Sequence, residues 1–314
     1  MRAASRSASD AGRTPSTFVI SLTPFGDDGT LDEARLRAHL RRLAASGIGV
    51  YVAGSGSGEA YTLDAGELRR VVEVSVDELA GKVPLRAMGF EPRTADQMIG
   101  FARMAVAAGV DAVQVYSLEA GHDHRTSNAE LERYYSAVLD AIDSPVVLST
   151  HFSVGYLVPV ELLAALGERY EQVVGVNCTT PDLTYLLALL DALDERVDVH
   201  VGGPTLALSA FALGANGYLS SEGNVAPRLC QSLVTHHVAG DLDSLHDAYT
   251  RVMRLFSMAM RYDHVCVGRA ELELLGLSVG PPRLPRLPIT DEATLRELAK
   301  TLDELDIRGI EQLA

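Results

Sequence analysis

The sequence predicts an α/β protein: a (β/α)8 barrel followed by a helical C-terminal extension. Three observations predict it. From Thr17 onward short β-branched runs alternate with amphipathic stretches of helical period. The runs number eight, which suits a closed parallel barrel. Beyond residue 240 only helical patterns remain. An open doubly wound sheet is the alternative for such a pattern, but the dinucleotide fingerprint that would favour it is missing.

TFVISLT (17–23) is the first strand, and LDEARLRAHLRRLAAS behind it places Leu36, Leu40 and Leu43 on one helical face before Gly47 ends it. Further strands fall near 48–53, 84–89, 111–117, 145–150, 172–177, 197–202 and 215–220. Gly109 and Gly214 each stop an Ala-rich helix just ahead of a strand. Ser127 and Glu130 have capping-box spacing before Leu131, and Pro181 and Pro204 sit where a first helical residue is expected. RVMRLFSMAMRY (251–262) and DEATLRELAKTLDEL (291–305) read as helices of the extension. The expected division is a barrel over 17–240 and an extension over 241–314. Residues 1–16, rich in Arg, Ser and Ala without an apolar segment, read as a disordered tail rather than a signal peptide.

Of 314 residues, 47% are apolar and 22% charged, which excludes wholesale disorder. A net charge of −15 argues against nucleic-acid and anionic-membrane partners, and no apolar run is long enough for a membrane span. Cys178, Cys230 and Cys266 are odd in number and widely spaced, which suits reduced thiols in the cytoplasm better than a disulfide or zinc framework. Only two of the 27 basic residues are lysine, Lys82 and Lys300. That limits any lysine-based mechanism.

LTPFGDDGTLD (22–32), GSGSGEAYTL (54–63) and GANGYLSSEGNVAP (214–227) together resemble the dihydrodipicolinate synthase and N-acetylneuraminate lyase family, over roughly residues 17–305. The resemblance implies a TIM barrel, assembly as a homo-oligomer (dimer or tetramer), and a strand-six lysine that forms a Schiff base with a 2-oxo acid. The motifs that carry that chemistry differ. Gly175-Val176-Asn177-Cys178 puts Asn177 at the lysine position, and an amide nitrogen is no nucleophile. On strand five Ser149 falls at the tyrosine position with no arginine after it, and Gly56-Ser57 replaces a pair of hydroxyl residues. Lys82 precedes strand three, at the face away from a barrel active site, and Lys300 lies in the terminal helix.

The C-terminal ends of the strands hold the remaining site residues. Gly56 and Ser57 in the strand-two loop form a carboxylate cradle, and Glu59 is a further substrate-contact candidate, with a structural role capping backbone amides as the alternative. His151 is the acid/base candidate, with Ser149 and Asn177 as catalytic partners. Tyr116, Thr150, Thr179 and Ser221 are expected to contact substrate, whereas Tyr61 and Tyr218 read as packing residues. His122 and His124 would need His151 or Glu59 to complete a metal site; a solvated loop is the simpler reading, and no metal or other cofactor is expected. Two functions stay open: a lyase-like enzyme (aldolase, hydratase or isomerase type) acting on a small oxo- or hydroxy-carboxylate without a Schiff base, or a non-catalytic ligand-binding or regulatory homologue, or inactive partner of a paralogous aldolase.

Overall fold

The computed structural model describes residues 15–119, 121–122 and 124–313. The strands are β1 (Ser16–Ile20), β2 (Gly49–Gly54), β3 (Leu85–Gly89), β4 (Ala112–Val115), β5 (Val146–His151), β6 (Val173–Thr179), β7 (Asp198–Gly202) and β8 (Gly217–Ser220). Between and after them lie α1 (Glu33–Ala45), α2 (Ala65–Leu79), α3 (Ala95–Ala108), α4 (Asn128–Asp140), α5 (Val160–Arg169), α6 (Leu183–Ala192), α7 (Ala207–Leu213) and α8 (Pro227–Ala239). The strands form a closed barrel in sequence order, every pair parallel, with β8 returning to β1. A (β/α)8 TIM barrel is therefore the fold. The closing seam needs a glycine, because a Cβ on Gly217 would lie 1.7 Å from the Ser16 carbonyl oxygen.

The period of two along each strand divides the core. Phe18, Tyr51, Met88, Tyr116 and Leu219 pack together inside the barrel. The residues between them, such as Val19, Val50, Val113 and Val176, join the larger shell against the helices. The same periodicity turns Arg86, Gln114, Asn177 and His200 inward. Burial of His200 pushes its imidazole down to about 3, with the Arg86 charge adding to the effect.

Helix ends follow the local chemistry. Ser127 and Glu130 make the capping box of α4, and Gly109 and Gly214 end α3 and α7 in the left-handed region. Pro204 begins a short 3-10 turn ahead of α7, but Pro181 stands two residues before α6, whose cap is Asp182. The Asp182 carboxylate accepts from the N–H groups of Thr184 and Tyr185, which fixes the helix start there. Residues 1–14 of the expected tail lie outside the described residues, and Ser16 already belongs to β1.

Beyond α8 come α9 (Leu242–Met260), α10 (His264–Leu274), α11 (Glu292–Glu304) and α12 (Ile307–Ile310). Among the described residues no helix is long and apolar enough to cross a membrane. The sequence reading lacked the short α12 and also α10, HVCVGRAELEL, where a glycine and β-branched residues weaken the helical signal. Its buried face carries charge, including Arg269 and Glu271.

The Glu271 carboxyl is pushed up to about 8, chiefly by burial and further by the neighbouring Glu222. The folded chain thus holds a proton that the unfolded chain releases near 4.5. The associated stability is complete below that value and is lost as pH rises towards about 8. Glu271→Gln should therefore melt several degrees above the parent at pH 9, with the gap closing at pH 5. Parallel melting-temperature profiles for the two proteins would contradict this.

Candidate active site

At the C-terminal ends of the strands, β5 and β6 present a block of four inward polar residues. The register pairs Ser149 with Asn177 and, one inward position higher, His151 with Thr179. His151 is buried, and its Nε2 has no hydrogen-bond partner. Burial lowers its pKa, while the carboxylates of Glu91 and Glu119 pull in the opposite direction. The net shift is downward, so the imidazole is neutral near pH 7 and has a nitrogen lone pair to take a proton. Glu91 Oε1 lies 3.9 Å from that Nε2, and Glu91 Oε2 accepts the Ser55 hydroxyl. The Tyr116 ring meets the imidazole edge-on at 5.6 Å between centroids, and burial raises its phenol pKa.

Asn177 forms the floor below His151. Its Nδ2 donates to the Tyr51 hydroxyl at 3.1 Å and to Gln114 Oε1, while its Oδ1 is buried without a partner. Tyr51 also accepts a bond from Arg86 Nη1 at 3.1 Å, and the Arg86 guanidinium stacks 4.2 Å from the Phe18 ring centroid.

On the neighbouring strand-two loop, the backbone N–H groups of Gly56, Ser57 and Gly58 have no partner among the described residues. Ser57 is buried, and a Cβ on Gly56 would come 4.0 Å from His264 Nε2 of α10. The loop thus offers free N–H donors beside a histidine supplied by the extension, an arrangement suited to an anion.

Two expected substrate contacts need correction. Thr150 points outward, because it alternates with inward Ser149 and His151; its hydroxyl accepts from the Val158 N–H at 3.0 Å and meets the Tyr185 hydroxyl at 3.3 Å. Glu59 is fully buried in an ion pair with Arg269, with Arg286 3.6 Å from its other oxygen. Ser221 stands at the rim but gives its hydroxyl to Glu222 Oε1 at 2.8 Å.

Cys178 also faces the helical shell, where burial pushes its thiol up to about 12, so it is no nucleophile for this site. Tyr218 is buried as expected, whereas Tyr61 is exposed and bonds Arg286. His124 pairs with Glu130 at 3.2 Å, and no three potential metal ligands converge among the described residues. Lys82 is exposed in the turn before β3, and Lys300 lies 3.7 Å from Glu304 on the surface of α11.

Glu91 and His264 were absent from the sequence reading. Glu91 had a usable signal, since it follows β3 at the active-site end of the barrel. His264 had none, because it reaches the rim from outside the strand-and-helix repeat.

Comparison with known proteins agrees with this architecture. The Dihydrodipicolinate synthetase family matches residues 15–305. A 4-hydroxy-tetrahydrodipicolinate synthase of Methanothrix thermoacetophila is 29% identical over 292 residues, covering 92% of this chain and 97% of the relative. The corresponding protein of Methanospirillum hungatei is 30% identical over 294 residues, covering 92% and 98%. Among solved structures, YagE, a prophage protein of the dihydrodipicolinic acid synthase family from E. coli K12 in complex with pyruvate, superimposes with a TM-score of 0.85 at 23% identity, covering 93% of this chain and 99% of that one. With nearly its whole length matched, the chain belongs to the Dihydrodipicolinate synthetase family, whose members are aldolase-type lyases.

Proposed function

We propose that this protein is a lyase acting on a small oxo- or hydroxy-carboxylate without a lysine Schiff base, with His151 as general base. The observation that carries the reading is the buried, unpartnered Nε2 of a neutral His151, 3.9 Å from Glu91, in a barrel whose strand-six position is Asn177. The Gly56–Gly58 amides and Ser57 hold the substrate carboxylate. His151 takes a proton from the bound substrate, and Glu91 stabilises the imidazolium until the proton is returned to the product. Ser149, Tyr116 and Thr179 are the further side chains we assign to contact the bound acid. The pyruvate bound by the E. coli relative supports a small oxo acid as the ligand class.

Three unpaired cysteines support a reducing compartment, the cytoplasm. A second reading, a non-catalytic binding homologue, draws support from the amide network that fills the lysine position.

Borohydride trapping tests the chemistry. After incubation with pyruvate or other 2-oxo acids and reduction, the intact mass is expected to stay that of the unmodified chain. A stable adduct on Lys82 or Lys300 would overturn the mechanism. Tight carboxylate binding with no turnover of any bound acid would favour the non-catalytic reading.

A further inference from the structure

The strand-two loop has an open side, and one side chain stands across from it. A Cβ placed on Gly56 would meet only His264 Nε2, at 4.0 Å, apart from its own chain neighbours. Two residues on, a Cβ on Gly58 would lie 2.7 Å from the Gly54 backbone, so the loop is tight there and open at Gly56. Gly56 and His264 are both half-buried, so each reaches solvent. No described residue hydrogen-bonds either ring nitrogen of His264, and both nitrogens keep contact with solvent.

His264 is held in place from outside the strand-and-helix repeat. It begins α10, and the Asp263 carboxylate caps that helix by accepting from the N–H groups of Val265 and Cys266 at 3.0 and 3.1 Å. Arg286 ties the cap to the loop. Its Nε donates to the other Asp263 oxygen at 3.1 Å, Nη1 donates to the Tyr61 hydroxyl, and Glu59 lies 3.6 Å away. The charged groups around the imidazole are Asp263, Glu222 of the turn after β8, Arg286, and Glu59 of the strand-two loop. Each carboxylate is already engaged: Glu59 by Arg269, Asp263 by Arg286, and Glu222 by the hydroxyls of Ser220 and Ser221. Burial outweighs their pull and lowers the His264 pKa, so the free ring is neutral near pH 7. His264 is thus the side chain beside Gly56 that can become positive by taking a proton.

We propose that His264 is an anion-binding side chain of this site, meeting from the C-terminal extension a carboxylate held at the Gly56 N–H. This rests on the reading of the strand-two loop as a carboxylate cradle and adds to it a ligand from outside the barrel. An anion beside the imidazole favours its charged form, so the complex takes up a proton that the free protein does not hold. Affinity for a carboxylate should therefore rise as pH falls from about 8 to about 6, a range in which the ligand's own charge is constant. Asp263 and Arg286 act as positioning residues, since they fix the start of α10 against the loop.

Calorimetry on the full chain tests it, with pyruvate and lactate as probes in buffers of different ionisation heat. The parent protein is expected to bind with net proton uptake near pH 7. His264→Gln keeps a hydrogen-bond donor without the charge, and it should bind about tenfold more weakly with the uptake abolished. Gly56→Ala is the second variant. Its methyl group would stand in ordinary contact with Nε2 at 4.0 Å, occupying the gap from the loop side, and should weaken binding to a similar degree. Binding to the parent without proton uptake would overturn the inference while leaving the cradle intact. So would uptake that persists in His264→Gln, or an affinity within about twofold of the parent in either folded variant. If neither probe binds the parent, the carboxylate cradle itself is removed, and the inference with it.

Discussion

His151→Ala is expected to lower turnover of the bound acid by about 10²- to 10⁴-fold, the usual contribution of a positioned general base. Binding should change far less, because the proposed carboxylate cradle is the strand-two loop rather than β5. The pH profile gives a second readout. Burial sets the His151 pKa below its ordinary 6.5, so kcat/KM should rise with pH through an inflection below that value. Glu91→Gln removes a charge that raises the histidine pKa, and the inflection should move lower still. A His151→Ala protein that keeps its rate within a few-fold would eliminate His151 as the base.

Arg269→Ala is expected to cost about 3–5 kcal/mol of stability, among the largest single-site losses available in this fold. Arg269 is 4% exposed and its carboxylate partner Glu59 is fully buried. Truncation leaves that carboxylate without its bonded guanidinium, although Arg286 remains 3.6 Å from its other oxygen. It also strips donors from three carbonyls: Thr23 at 2.7 Å, Val279 at 3.2 Å and Gly280 at 3.1 Å. Denaturant unfolding measures the effect, and pairing the change with Glu59→Gln should recover part of it by removing the stranded charge. A loss below about 1 kcal/mol would show that the pair contributes little net stability.

The barrel was legible in the sequence because eight strands repeat one pattern, and each helix that a glycine ends or a capping box starts follows local rules. Gly109, Gly214, Ser127 and Glu130 behave as their neighbours dictate. Pro181 did not fix its helix start, since an aspartate one residue on can satisfy two N–H groups and a proline none.

The site was only half legible. Chain position locates residues at the active-site end of the strands, and this found His151, Ser149 and Asn177. Facing depends on parity within the strand, which separates inward Ser149 and His151 from outward Thr150. Ion pairing between distant segments leaves no local signature. Glu59 and Arg269 are 210 residues apart, so the ion-pair partner of that carboxylate could not be read from GSGSGE.

That separation also bears on how the protein is made. The loop that carries Glu59 emerges from the ribosome early, but its counter-charge belongs to α10 and follows only after the whole barrel has been synthesised. Until then Glu59 can stay hydrated only if its loop remains open, because burying an unpaired carboxylate is costly. The nascent barrel therefore completes its strands before it completes its mouth. Arg269 and His264 are synthesised only after all eight strands, so the strand-two loop should close late in translation.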